Sequence, residues 1–132
     1  MKHEHALRRA PSATGPAYDF TGLWINELSS QMSIVSQEGA QLSGTYTSFV
    51  SEGGEPVTGQ LAGWANGLLI SVTVNWAPSG AITSWVGQLV DPDSADMSIE
   101  TLWQMTQAIE NPDQPDELWQ SVLAGADSFH RG

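Results

Sequence analysis

The sequence predicts an all-β fold: about eight short antiparallel strands joined mostly by tight turns, as an up-and-down barrel or a sandwich. Three observations carry this. Runs rich in Val, Ile, Leu, Thr, Trp and Tyr recur from Phe20 to Phe129. Clusters of Gly, Pro, Asn, Asp and Ser separate them at short intervals. No segment sustains the apolar period of an amphipathic helix. At 132 residues the chain fits one domain with a sizeable core.

Residues 1–19 are polar, contain Pro, Gly and Ser, and carry no apolar period, so they read as a flexible tail ahead of a barrel domain over 20–130. The His3 and His5 pair in the tail is too few ligands for a metal site. FTGLWINEL is the first strand. By alternation Trp24, Asn26, Leu28 and Ser30 share one face, which sets an amide and a hydroxyl beside a tryptophan and a leucine. QMSIVSQ follows, and the turn EGAQ leads to LSGTYTSFV. After the loop SEGGEP comes PVTGQLAGW, and Asn66-Gly67 suits a primed hairpin turn into LLISVTVNW. AITSWVGQLV and MSIETLWQMTQ are the next two strands. The last piece, DELWQSVLAGADSF, opens with a helical turn at Asp116 and Glu117 and finishes as a strand. No real helix is expected, and eight strands enclose an interior just wide enough for side chains or one small ligand.

Charge removes several functional classes. The formal net charge is −11, from four Lys and Arg against fifteen Asp and Glu. The four basic residues are Lys2, Arg8, Arg9 and Arg131, all in what reads as tail. Nucleic acid needs a basic footprint and is therefore not expected as a partner. No stretch approaches the apolar length of a membrane span. With no cysteine there is no disulfide or thiolate metal site, and the redox compartment stays open. The N-terminus, MKHEHALRRAP, lacks an apolar h-region, which suits either a mature form with a new start or a cytoplasmic protein.

The remaining strands repeat the oddity of the first. Tyr46, Ser48 and Val50 share a face; so do Thr83 and Trp85, and so do Trp103, Met105 and Gln107. With Trp76, Trp119 and Asp127 they form a set of indoles, hydroxyls, one amide and one carboxylate. Pointed into one barrel, that set has the composition of a small-ligand pocket: apolar walls and a few convergent polar groups. Periodicity alone does not decide between such a pocket and a filled core with polar residues outside.

The motifs themselves resemble a known family. TGLWINELSS resembles the opening strand of avidin and streptavidin, GTYTSFV their G-T-Y-x-[ST]-x-V strand, and TSWVGQ their [TS]-x-W-x-G-Q strand. WQMT and LWQSVLAGADSF resemble the last two strands, terminal aspartate included. The likeness runs in order from Phe20 to Phe129. It implies an eight-stranded up-and-down barrel that binds biotin at one open end, with no cofactor and no catalysis. By resemblance Asn26, Ser30 and Tyr46 donate to the ureido oxygen, and Ser48 and Asp127 accept from the ureido N–H groups. Thr83 approaches the ring sulfur. Trp76, Trp85 and Trp103 line the walls, with Leu28 and Val50 beside them. Trp119 matches the tryptophan that reaches across a subunit interface, which implies a homotetramer or a dimer. Family members are often exported, so a secreted or periplasmic location is expected, and vitamin sequestration is the use usually proposed for them.

The departures cluster where the ligand's carboxylate would lie. SEGGEP is short and carries Glu52 and Glu55, whose charge opposes a carboxylate. The family's carboxylate-binding hydroxyl has no clear match; Ser79 is the first candidate and Ala81 the other. Met105 and Gln107 stand where streptavidin has leucine and serine. The loop from Ala108 to Pro115 is longer and is stiffened by Pro112 and Pro115, as for a partial lid. Competing readings are a barrel for another small cyclic urea or heterocycle, and a filled barrel acting on a protein partner through its loops. An enzyme with Asp127 as general base lacks a partner nucleophile, since there is no cysteine and the one histidine beyond the tail is His130, near the chain end.

Overall fold

Each strand pairs antiparallel with the next, and the eighth returns to the first, closing a barrel in chain order. The strands are β1 (Gly22–Ile25), β2 (Gln31–Glu38), β3 (Gln41–Ser48), β4 (Val57–Asn66), β5 (Leu69–Asn75), β6 (Ala81–Val90), β7 (Ser98–Gln107) and β8 (Val122–Arg131). The structure is a computed structural model that describes residues 1–49, 54–109 and 121–132. The expected helical turn at Asp116 and Glu117, the proline-stiffened segment, Val50, Glu52 and Trp119 lie outside the described residues.

Alternation decides what the barrel encloses. Along β5 the buried residues are Ile70, Val72 and Val74, while Leu69, Ser71, Thr73 and Asn75 face out. β2 breaks the rule once. Its register slips between Ile34 and Ser36, which leaves Val35 as an unpaired, outward-pointing residue. A bulge of this kind sharpens twist, which helps a sheet curl onto itself. Between β4 and β5 the two turn residues are Gly67 and Leu68, with a positive φ only at Gly67. That is the pattern of a type II′ turn, with glycine at its first central position; the expected Asn66-Gly67 pairing is shifted by one residue.

The barrel is filled unevenly. At the end nearest the β6–β7 connection, Phe20, Trp24, Ile99 and Phe129 are fully buried. Each such side chain contributes about 1.5–3 kcal/mol by leaving water. The Trp24 indole N–H donates to the Phe20 carbonyl at 2.9 Å, so no polar group is stranded among them.

Three expectations are corrected here. Arg131 is not in a tail: it lies in β8 opposite Trp24, and its guanidinium sits over the Trp24 ring at 4.1 Å. From there it donates to the carbonyls of Thr21 and Asp19, at 2.6 and 3.1 Å. A planar, weakly hydrated cation stacks on an indole where an ammonium would stay in water. His130, likewise, pairs with Ile25 within the sheet. A helix is present: α1 (His3–Arg8), with Glu4 in its first turn, Arg8 in its last and no buried residue. It is held by its own backbone bonds, not by an apolar face, which is why the apolar pattern gave no sign of it. Packing on the barrel begins before Phe20, since the Tyr18 N–H donates to the Gly67 carbonyl and Gln37 bridges Tyr18 and Phe20.

Candidate functional site

The opposite end of the barrel is open. A cavity of about 450 Å³ lies there, lined by Asn26, Leu28, Ser30, Tyr46, Ser48, Val57, Trp76, Ser79, Ala81, Thr83, Trp85, Trp103, Met105 and Asp127. The volume falls in the range of small-molecule sites. Thirteen of the residues singled out from the sequence, Ala81 among them, meet in this one cavity; Val50 and Trp119 lie outside the described residues. Gln107, on the Trp103 and Met105 face, is exposed and does not line it.

How Asn26 arrives corrects the strand reading. β1 stops at Ile25, and Asn26 to Ser30 forms a turn: the Ser29 N–H donates to the Asn26 carbonyl at 3.0 Å and the Asn26 N–H to the Ser30 carbonyl at 3.1 Å. Ser29 takes φ +66° to close it. The Asn26 side chain belongs to the same device. Its Oδ1 accepts from the Leu28 and Ser30 N–H groups at 3.0 and 2.9 Å. An asparagine bonding the backbone two residues ahead is a familiar turn former. Two backbone donors on Oδ1 settle which way the amide points, so Nδ2 must face the cavity. Nδ2 donates to the Tyr46 hydroxyl at 3.2 Å. Ser30 hydrogen-bonds the same phenol.

Tyr46 is the pivot of this wall. Its ring stacks on Trp85 at 4.5 Å and meets Trp76 and Phe129 edge-on at 5.6 and 6.2 Å. Burial first, then the charge of Asp127, pushes the phenol above its ordinary range; the Ser30 bond opposes this and Glu27 adds to it. The group is therefore a neutral O–H, able to donate at any physiological pH.

Among the described residues Asp127 supplies the cavity's one carboxylate. The Trp85 indole N–H donates to its Oδ2 at 2.8 Å. Thr101 donates to its backbone carbonyl at 3.0 Å, which fixes the strand beneath it. Burial raises its pKa above the ordinary value. The bond from Trp85 pulls it back, the charge of Glu27 raises it further, and the Asn26 amide lowers it. The carboxylate is thus held, but in surroundings that make a further hydrogen-bond donor welcome.

The walls are set by register. Trp76 donates to the Thr83 hydroxyl at 2.8 Å, which leaves the Thr83 proton free to point elsewhere. Trp103 lies opposite Gly125 on β8, and a Cβ at Gly125 would come within 2.6 Å of the indole. Only a residue without a side chain lets that ring lie flat on the strand. Gly125, Thr101 and Val57 were not identified from the sequence. Val57 was within reach, since it opens β4 opposite Ser48; Gly125 and Thr101 act through their partners across the β7–β8 pair, Trp103 and Asp127, and leave no local pattern.

The arrangement can hold a small, flat, uncharged polar head among neutral donors and one acceptor. Among the described residues no Lys or Arg lines it. Comparison with known proteins agrees with that geometry. A family model described as Avidin family matches residues 15–132. The fold is similar to the crystal structure of xenavidin, at 28% identity and TM-score 0.71, over 86% of this chain and 97% of that one. It is similar to a structure titled AVR2, at 25% identity and TM-score 0.73, over 89% and 98%. It is also similar to apo shwanavidin, at 26% identity and TM-score 0.69, over 88% and 99%. These matches support a biotin-binding barrel in general, and the chain belongs to the Avidin family.

Proposed function

We propose that this chain binds biotin at the open end of the barrel, without catalysis, the ureido ring buried first. The observation that carries the reading is the convergence of Asn26, Ser30 and Tyr46 beside Asp127 in one indole-walled cavity. Three neutral donors around one carbonyl oxygen favour build-up of negative charge on it, as an oxyanion hole does, with no reaction to follow. Ser48 and Asp127 accept from the two ring N–H groups, the ionised carboxylate making the stronger bond. Thr83 meets the ring sulfur. Trp76, Trp85 and Trp103 pack on the bicyclic body, with Leu28, Val50 and Met105 along the chain that leaves it. A neutral urea suits a site with no Lys or Arg.

Family proteins are non-catalytic binders and are generally secreted. We extend both properties to this chain, placing it outside the cytoplasm, where it would sequester the vitamin. Self-association to a homotetramer or dimer belongs to the same reading, with Trp119 reaching a neighbouring subunit. It is supported by a row of outward residues in register across β4 to β8: Trp64, Ser71, Val86, Leu102 and Ala126. Trp64, Val86 and Leu102 are 59%, 57% and 70% exposed, an apolar stripe of the kind that marks an interaction face.

Calorimetric titration of biotin, with light scattering on the same sample, tests both parts. Heat with one site per chain on a multimer is expected. No binding signal at any temperature ends the ligand assignment, and a monomer at high concentration ends the assembly.

A further inference from the structure

The seam of the barrel, where β8 returns to β1, runs between two halves of the cavity's polar set. Asn26 and Ser30 come from the turn that follows β1, and Asp127 comes from β8. The seam is thin. β1 pairs with β8 through Trp24 with Arg131 and Ile25 with His130, and β1 then ends. Continued in that register, Asn26 would face Phe129 and Glu27 would face Ser128. The chain turns away instead, with the Asn26 N–H bound to the Ser30 carbonyl at 3.1 Å. Ser128 therefore presents a strand-edge N–H where β1 has already ended. The Glu27 side chain takes that place: its Oε1 accepts from the Ser128 N–H at 2.5 Å. A carboxylate makes a stronger bond there than a neutral carbonyl would. Glu27 lies on the outer wall, in a hollow with Thr101, Ala126 and Ser128, and it does not line the cavity.

We infer that Glu27 is a positioning residue for the head-group end of the site: bonded to Ser128, it holds the turn that carries Asn26 and Ser30 against the strand that carries Asp127. The inference rests on the proposed binding of biotin head-inward. Donors on the turn and an acceptor on β8 must meet one rigid ring, so a small widening of the seam weakens bonds on both sides of it. The Asn26 amide also bonds Asp127 across the seam, but both of those groups face the cavity, where a ligand competes for them. Glu27 spends its carboxylate outside, where none does. Its charge adds, after burial, to the upward push on the Asp127 pKa. The benefit of Glu27 to the site is therefore geometric, gained in spite of a like charge.

Two variants of the full chain, Glu27→Ala and Glu27→Gln, titrated with biotin by calorimetry and unfolded in urea, decide the matter. Glu27→Ala is expected to bind about tenfold more weakly, the scale of one lost bond to a charged group. Its urea midpoint should stay close to that of the wild type, because the residue is exposed. Glu27→Gln keeps an oxygen that can accept the same N–H and is expected to bring affinity back to within about threefold. Exchange of the Ser128 amide proton should follow the same order, fast in Glu27→Ala and slow in the other two chains. A Glu27→Ala chain with wild-type affinity overturns the inference. So does a Glu27→Gln chain as weak as Glu27→Ala, or an affinity loss matched by a general loss of stability. A wild-type chain that takes up no biotin ends the ligand reading and this inference with it; the other results leave that reading standing.

Discussion

The two ends of the barrel are built from the same materials and used in opposite ways. Each has tryptophan, a second aromatic ring and a charged residue. At the closed end Trp24 is packed against Phe20, its N–H is spent on a carbonyl 2.9 Å away, and Arg131 caps it from outside. At the open end Trp85 spends its N–H on Asp127, and Tyr46 stacks on its face. The difference is which charge is offset. The guanidinium of Arg131 meets carbonyl oxygens and a ring face, all complementary to a cation. The Asp127 carboxylate has an indole N–H and an amide, but its burial and Glu27 still push its pKa upward. One end spends its polar groups on closure; the other keeps its carboxylate under mild electrostatic stress, as functional sites do.

That contrast can be broken at several points. Trp24→Ala should lower the unfolding free energy by about 3–5 kcal/mol in urea melts, the cost of truncating a fully buried tryptophan. A loss below 1 kcal/mol would mean the closed end is not the core. Asp127→Ala should behave in the opposite sense. Ligand affinity should fall by about 1.5–3 kcal/mol, the usual worth of a hydrogen bond to a charged group, while the free protein changes little in stability at neutral pH, because relief of the buried carboxylate is set against a Trp85 N–H left without its acceptor. The sign of that relief follows from the raised pKa: the folded state holds the Asp127 proton more tightly than the unfolded state does. Ionisation of Asp127 therefore subtracts from stability above that pKa, and removing the group lifts the penalty. Unchanged affinity by calorimetry would take Asp127 out of the site.

Gly125→Ala sharpens the comparison, because it touches no ligand. The added methyl must displace the Trp103 indole, at about 1–3 kcal/mol for an overpacked contact. Affinity should drop and the Trp103 fluorescence should shift, with the other walls intact; an unaltered spectrum would show that the ring has room. Arg131→Gln should cost about 1–2 kcal/mol of stability through the lost cation–π contact and charged donors, with ligand binding unchanged. A matching loss of affinity would show that the two ends are coupled. The smallest effect is on pH. Affinity should decline as the medium is acidified through the raised Asp127 pKa, by at most about tenfold per pH unit for a single proton. The decline should start at a higher pH than an ordinary aspartate would give and should vanish in the Asp127→Ala chain.

Most of the barrel could be read in the residues. Strand period, turn chemistry and ordered motifs led to eight strands, the first of them read too long; alternation grouped Tyr46 with Ser48, Thr83 with Trp85 and Trp103 with Met105 on shared faces, and the family resemblance turned those faces inward. The same reasoning reached Asn26 for the wrong reason. Alternation was carried through a segment that is a turn, and it named the right residue because Asn26 and Ser30 close that turn toward the cavity. Arg131 was misread because the penultimate residue looked like tail, and nothing local says that Trp24 will lie beneath it. Gly125 was invisible because its role depends on a ring from the neighbouring strand.

The sequence by itself determined the fold class, the inventory of polar groups available to a ligand and the lack of any cation near them, because periodicity and composition are local properties of the chain. Only the tertiary structure decided which end of the barrel is full and which is open, which way the Asn26 amide points and where Arg131 rests. Those depend on contacts between residues far apart in the chain, such as Trp85 with Asp127 and Trp24 with Arg131, and strand register brings them together only once the barrel has closed.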